Sequence, residues 1–229
     1  MSPRIPGLFI TGTDTAVGKT YVAALVAREL VAAGHRVGVY KPVASGCRRD
    51  DERIVSDDAL ALWEAAGRPG ELDRVCPQCF LAPLAPHLAA RAEGRQVDGD
   101  LLRSGLAYWQ ARSEIILVEG VGGLMSPVSD EDYVADLAEE FGFPLIVVSR
   151  NALGTINQTL QTLITAATFR DGLPIAGVVL NNPTPPGDDA SLSTNHQELS
   201  ARCVPPILAE VPWQADRFDT PVDWLNLAR

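Results

Sequence analysis

A chain of 229 residues is long enough for one substantial core and short for two ordinary domains. Hydrophobic residues make up 46% of it and charged residues 21%, which excludes a disordered chain. A net charge of −10 argues against a nucleic-acid partner, so any phosphate ligand must be held by a local site working against the field of the whole molecule.

From Met1 to Thr11 there is one basic residue and an apolar run of only Leu8-Phe9-Ile10. That run is too short for a signal-peptide core or a membrane span, and a cytoplasmic protein with no membrane partner is expected. Leu8 to Thr11 predicts a short buried strand ending at Gly12. Val22, Leu25, Val26, Leu30 and Ala33 recur at helical spacing and predict a helix from about Lys19, with Gly34 placed as its C-terminal cap. Val37–Lys41 reads as the second strand, and Pro42 stops a helix from starting there.

Asp57 and Asp58 open a helical stretch over 58–66; one can cap it while the other faces a site, and periodicity does not say which. Residues 67–86 carry Pro69, Pro77, Pro83 and Pro86 and predict a long irregular excursion over the surface. Further strands are expected at Ile115–Glu119, Leu145–Ser149, Ile175–Asn181 and, more weakly, Ile207–Glu210. Helices are expected between them at about 100–112, 131–141, 155–170 and 188–202. Strands alternating with helices predict an α/β fold of the P-loop NTPase-like kind, a mostly parallel sheet covered on both faces. No repeat or linker interrupts it, so residues 1–229 are expected to form a single domain.

In such sheets ligands sit beyond the carboxyl ends of the strands, where the strand order reverses. Polar residues that terminate apolar strands therefore carry the most weight. Gly12-Thr13-Asp14-Thr15-Ala16-Val17-Gly18-Lys19-Thr20 lies between the first strand and the first long helix, the context a phosphate-binding loop requires. Its N–H groups and helix dipole would face the anion, Lys19 would reach the outer phosphates, and the Thr20 hydroxyl could ligate Mg²⁺. The spacing departs from the usual GxxxxGK[ST], because Thr13 stands where that pattern has glycine.

Glu119 ends a hydrophobic strand and precedes Gly120, Gly122 and Gly123, where an acid can hold a metal and bare backbone lets a ligand approach. Lys41 ends the second strand in KPVASG, beside the phosphate loop; alone it would be a solvated lysine as readily as a phosphoryl ligand. Leu153-Gly154-Thr155-Ile156-Asn157 opens a helix, either as a second anion site or as a plain cap. Asn181 and Asn182 end the fifth strand, where an amide can read a purine edge or make a turn.

Of four cysteines, Cys47, Cys76, Cys79 and Cys203, the pair Cys76-Pro77-Gln78-Cys79 has CxxC spacing, but the sequence offers no second pair to complete a zinc site. His35, His87 and His196 form no acyl-transfer constellation.

Taken together, GTDTAVGKT, KPVASG, SDDALAL, APH at 85–87, VEGVGGLMSPVSD, LGTIN, NNPTPPG and VPW at 211–213 resemble the dethiobiotin synthetase family over nearly the whole chain. The resemblance implies a ligase that uses ATP and Mg²⁺ to join CO2 to 7,8-diaminononanoate and close a cyclic urea. It implies that Lys19 and Lys41 bracket the γ-phosphate with Thr15 assisting, that residues Thr13 to Thr20 cradle ATP, and that Thr20, Asp58 and Glu119 hold Mg²⁺. Asn181 would read adenine beside Pro212 and Trp213. Ser45, Gly122 and Gly123 would meet the substrate, with Gly154 and Asn157 supplied by the facing subunit of a homodimer. Members of the family often carry an acid where this chain has Ala16, and the Cys76–Cys79 pair is unexpected. The rival class is a partitioning-type nucleotide-switch ATPase, which typically carries a second lysine near the start of the loop; Thr13 and Asp14 occupy those positions here.

Overall fold

The order of six parallel strands puts the phosphate loop at the one point where the chain reverses direction across the sheet. In a computed structural model that describes residues 5–185 and 187–229, the order is β2-β5-β1-β6-β7-β8. These are β1 (Gly7–Gly12), β2 (Val37–Tyr40), β5 (Ile115–Glu119), β6 (Leu145–Arg150), β7 (Ile175–Asn181) and β8 (Ile207–Val211). From central β1 the chain goes first to the edge strand β2 and then returns to β5, which lies between the two. It then crosses to the other side for β6, β7 and β8. The β1 residues pair with β5 on one edge and β6 on the other, so its carboxyl end opens into the crevice between the two halves. Met1–Arg4 of the N-terminal stretch and Pro186 of NNPTPPG lie outside the described residues.

Strands β1, β2 and β5 are buried along their whole length, as apolar runs rather than alternating patterns demand of a sheet covered on both faces. Each fully buried Leu, Ile or Val removes enough apolar surface for about 1.5–3 kcal/mol. Helix α1 (Lys19–Ala32) follows the phosphate loop, and Gly34, at φ 89°, accepts the left-handed turn that ends it. On the other half, α8 (Thr155–Thr168) and α9 (Leu192–Arg202) cover the sheet.

Local contacts move several boundaries away from what periodicity predicts. The helix expected over 100–112 is two pieces, α5 (Gly99–Ser104) and α6 (Leu106–Gln110). The Tyr40 hydroxyl reaches the carbonyls of Leu101 and Leu102 at 3.0 Å, and a Cβ on Gly105 would stand 2.3 Å from that hydroxyl. Helix α7 (Val134–Phe141) starts three residues later than expected because Asp132 is tied to Ser129 and Arg103, and Asp136 accepts from the Tyr133 N–H. Helix α9 likewise starts at Leu192 rather than 188.

The excursion over 67–86 is less loose than its prolines suggest. It contains one helical turn, α3 (Leu72–Val75), leads into α4 (Pro86–Ala92), and between them runs alongside residues 41–47. Lys41 N–H donates to Val75 at 2.7 Å, Ala44 to Gln78 at 2.9 Å, and Phe80 back to Ala44 at 2.9 Å. This pairing ends β2 at Tyr40 rather than at Lys41, and it fixes the backbone that carries Lys41 and Ser45. A hairpin of β3 (Arg48–Asp50) and β4 (Arg53–Val55), with Asp51 at φ 54°, is absent from the sequence reading. It precedes α2 (Asp57–Ala65). A terminal turn, α10 (Trp224–Leu227), packs near α1 through the Trp224–Glu29 hydrogen bond of 2.7 Å. Among the described residues no helix is long and apolar enough to cross a membrane.

Candidate active site

Lys41 and Glu119, at the carboxyl ends of β2 and β5, meet Lys19 and Thr20 from the start of α1 and Asp58 from α2 in a single cavity of about 870 Å³. The phosphate loop forms its floor. Ala16 (φ 57°) and Gly18 (φ 94°) turn the backbone through left-handed conformations, which glycine takes freely and alanine takes with strain. A Cβ on Gly18 would lie 2.0 Å from the Asn181 Nδ2, so only glycine fits there. Asp14 shapes the loop tip by accepting from the Thr15 N–H at 2.7 Å. Lys19 Nζ folds back onto the Asp14 carbonyl at 2.9 Å.

Opposite the loop is a compact ionic knot. Lys41 Nζ sits 2.6 Å from Glu119 Oε1 and 3.1 Å from Asp58 Oδ2, and Thr20 Oγ1 donates to the same Glu119 oxygen at 2.9 Å. Lys41 and Glu119 are almost wholly buried, whereas Asp58 is half exposed. Burial works against the Lys41 charge, but Glu119 and Asp58 outweigh it and leave the ammonium stabilised well above its ordinary range. Asp58 is held below the usual carboxylate range because Lys41 overcomes the cost of its burial. Lys19 goes the other way. Its burial, opposed by Glu119 but reinforced by the like charge of Lys41, lowers it to about 8.

Neither aspartate at the start of α2 caps the helix. Ser56 does so, accepting from Ala59 N–H at 3.2 Å, and this rotates Asp58 inward while Asp57 pairs outward with Arg48 at 2.8 Å. Glu119 Oε2 is buried and has no hydrogen-bond partner among the described residues. A partnerless buried carboxylate oxygen beside a hydroxyl and a second carboxylate is a hard-oxygen set that fits Mg²⁺, which keeps several waters and shares phosphate oxygens.

Ser45, Thr15 and Gly122 line the same cavity. Gly122, at φ 65°, faces Ser126 Oγ, which accepts from the Gly123 N–H at 2.8 Å. Gly123 packs against the carbonyls of Gly12 and Thr13, where a Cβ would meet them at 3.4 and 3.5 Å. Gly154 and Asn157 are not brought into this cavity. They are exposed at the start of α8, behind Leu153, which is 85% exposed. Val17 is buried beneath the loop, and Thr13 donates its N–H to Val148 at 3.0 Å.

A second cavity of about 440 Å³ opens beyond β6, β7 and β8, and Pro212 and Trp213 line it together with Asn182. Asn181 behaves differently from the sequence expectation. Its Nδ2 donates to the Val17 carbonyl at 2.8 Å, so it braces the phosphate loop; its buried Oδ1 has no partner among the described residues. An asparagine so placed has one N–H committed to the loop, and its unpartnered Oδ1 is the acceptor it has left to offer a base. Sequence reasoning passed over Asn151 and Glu210, which also line this cavity. Glu210 Oε1 accepts from Asn151 at 3.1 Å and from Asn182 at 3.3 Å. Arg150 and Asn151, which close β6, satisfied the same strand-end criterion that singled out Lys41 and Glu119.

Comparison with known proteins places this geometry in context. The family model described as an AAA domain matches residues 6–218. The ATP-dependent dethiobiotin synthetase BioD of Rhodopirellula baltica is 44% identical over 214 residues, covering 89% of this chain and 82% of the relative. That of Anaeromyxobacter dehalogenans is 44% identical over 210 residues, covering 92% and 91%. Among solved structures, a plasmid partition protein from Borrelia burgdorferi B31 superposes with a TM-score of 0.55 at 11% identity, over 99% of this chain and 95% of that one. The latter likeness extends to the fold alone, and the loop here lacks the extra lysine expected of a partitioning ATPase. With identity this high sustained over nine-tenths of its length, the chain belongs to the ATP-dependent dethiobiotin synthetase family.

Proposed function

We propose that residues 1–229 act as one catalytic domain that uses ATP and Mg²⁺ to join CO2 to 7,8-diaminononanoate and close its ureido ring, releasing dethiobiotin, ADP and phosphate. The observation that carries this reading is the knot of Lys41, Glu119, Asp58 and Thr20 facing Lys19 across one cavity. Such a site holds and neutralises a phosphoryl group but offers it no protein nucleophile.

The reaction fits that inventory. Carboxylation of one amine supplies a carbamate, whose oxygen attacks the γ-phosphorus of ATP while ADP leaves. The second amine then attacks the carbamoyl carbon, phosphate departs, and the five-membered ring closes. Lys19 and Lys41 would face the transferring group from opposite sides and stabilise the charge that spreads over its oxygens. Loop N–H groups at the start of α1 would hold the remaining phosphates, and Ser45 would position the carbamate end. Thr20, Asp58 and Glu119 would hold Mg²⁺, which when bound shields the phosphate charges. Trp213 and Pro212 would line the base, with the partnerless Oδ1 of Asn181 accepting from the adenine amine.

The same reading includes a homodimer. Leu153, Ile164 and Met125 are 85%, 63% and 44% exposed, and Met125 lines a cavity of about 490 Å³ together with Thr13, Asp14, Gly123 and α8 residues such as Gln161. Exposed Met125 beside the loop, with exposed Leu153 and Ile164 before and on α8, supports a facing subunit that brings Gly154 and Asn157 to the diamine. The test is phosphate release with the diamine, bicarbonate, Mg²⁺ and ATP, omitting each in turn. Release should require all four. Turnover that persists without the diamine would favour a nucleotide switch instead.

A further inference from the structure

The two carboxylates that suit a divalent cation are already engaged by a cation of the chain's own. Lys41 Nζ lies 2.6 Å from Glu119 and 3.1 Å from Asp58, and the lysine is almost wholly buried, so the ammonium is not free to swing into solvent. The formal charges of Lys19 and Lys41 cancel those of Asp58 and Glu119. A dication on the same oxygens would stand within a few ångströms of Lys41, and in a poorly hydrated site that repulsion is weakly screened. The partnerless Glu119 Oε2 and the Thr20 hydroxyl offer the cation a foothold, but Asp58 Oδ2 and Glu119 Oε1 are held by the ammonium and open to a cation only once Lys41 leaves. Triphosphate oxygens give Lys41 somewhere to go, because they present the negative charge that it would give up.

Resting on the metal assignment of the proposed function, we infer that Lys41 and Mg²⁺ compete for Asp58 and Glu119, so that the cation binds tightly only together with nucleotide. Entry of the metal and delivery of Lys41 to the phosphoryl group are then one coupled event. Mg²⁺ arriving alone meets an ammonium in its place. Mg²⁺ arriving with nucleotide meets carboxylates that Lys41 has just released to the γ-phosphate.

The experiment is a Mn²⁺ titration of nucleotide-free protein, followed by electron paramagnetic resonance, for the parent and for Lys41→Met and Lys41→Gln. Loss of the ammonium should tighten Mn²⁺ binding at least about tenfold in each folded variant. Equal Mn²⁺ affinity in parent and folded variants would overturn the competition. A readout on the parent covers the case in which both variants unfold. The Lys41 Nζ resonance should shift when Mg²⁺ and the non-hydrolysable analogue adenylyl imidodiphosphate are added together, and stay in place with Mg²⁺ alone at about 1 mM. A resonance that moves as far with Mg²⁺ alone, or that ignores the bound metal–nucleotide complex, would contradict the inference. Calorimetry of the metal–analogue complex separates the two levels of argument. If the parent fails to bind it, the nucleotide reading itself falls; if it binds while the Mn²⁺ affinities are equal, only the competition does.

Discussion

The two ends of the cleft are built from different chemistry. At the end proposed for the phosphates, full charges meet at the start of α1 and the ends of β2 and β5, and Lys41 and Glu119 are both nearly wholly buried. At the end proposed for the base, the residues at the ends of β6 and β7 are amides, Asn151, Asn181 and Asn182; the first and last bond to Glu210 of β8, and Asn181 to Val17. Charges taken out of water must be paired, and the pairing locks their positions. The amides share hydrogen bonds instead: Asn182 Nδ2 reaches both Glu210 and Val211, Asn151 donates to Glu210 and accepts from Asn195, and the Oδ1 of Asn181 is left over. The phosphate end should therefore fail abruptly when altered and the base end gradually.

The sharpest break is Lys19→Ala. Removing the charge that faces the transferring group should cost turnover on the order of 10²-fold or more, measured as phosphate release. Near-normal turnover would sink the phosphate-loop assignment. The same lysine makes a pH prediction. Burial first, aided by Lys41, lowers it from 10.5 to about 8, so it is largely neutral above that pH. Bound phosphate favours the ammonium and must raise it again. Binding of an ATP analogue above pH 8 should thus take up a proton and weaken as pH rises, seen by calorimetry in buffers of different ionisation enthalpy. Uptake of the same size in Lys19→Ala would assign the proton elsewhere.

Next come the carboxylates. Glu119→Gln and Asp58→Asn should each raise the Mg²⁺ concentration needed for half-maximal turnover, by roughly tenfold or more, since neutral amides are poorer hard-oxygen ligands. Asp57→Asn is the internal control. Its exposed pair with Arg48 is screened by solvent and does not face the cavity. A larger effect from Asp57 than from Asp58 would mean that the inward face of α2 is misassigned.

The contrast also explains what could be read without coordinates. Apolar strands ending in Gly12, Glu119 and Asn181 stand out because each run is buried on both faces, and the order of strands and helices follows. Glu119 is legible as an acid ending a buried strand ahead of a glycine-rich turn, whereas Lys41 alone reads equally as a solvated lysine and takes its role only from KPVASG and the resemblance. The hairpin β3–β4 escapes because four of its six residues are charged, none is buried, and the apolar pair Ile54-Val55 is adjacent rather than alternating. The choice between Asp57 and Asp58 turns on Ser56 capping α2, a matter of one side-chain hydrogen bond. Asn181 and Asn182 have identical side chains, and only packing separates the brace under Val17 from the residue lining the Trp213 cavity.

At the base end the expected effects are smaller. Asn181→Ala leaves the Val17 carbonyl without its buried donor, a loss of about 1–3 kcal/mol, and should lower the melting temperature more than Asn182→Ala does. It also removes the acceptor proposed for the adenine amine. Guanine presents a carbonyl there, so the parent should prefer ATP to GTP by roughly 5- to 150-fold in kcat/KM. Equal use of the two by the parent removes Asn181 as base reader, and loss of preference in Asn182→Ala alone moves the role one residue along.

The smallest effect is expected from the cysteines, although they stand close to the site. Cys76 and Cys79 approach to 3.6 Å, on the segment that pairs with residues 41–47, and Cys47 joins them through its bond with Cys79. The bond with Cys47 favours the Cys79 thiolate, but the bond to Cys76 and burial prevail and push it up to about 12. A thiol so placed stays protonated at neutral pH, which makes it a poor metal ligand and a slow nucleophile. Among the described residues, no three His, Cys, Asp or Glu side chains form a group able to hold a metal. The backbone bonds from Lys41 to Val75 and from Ala44 to Gln78 need no thiol, so the segment should keep its place without them. A Cys76→Ser, Cys79→Ser double variant should therefore fold and turn over as the parent does, with about 1 kcal/mol lost from the buried Cys76 position. Stoichiometric zinc in the purified parent that disappears in the double variant would instead make the pair part of a metal site, and a fall in turnover beside unchanged stability would tie the thiols to the placement of Lys41.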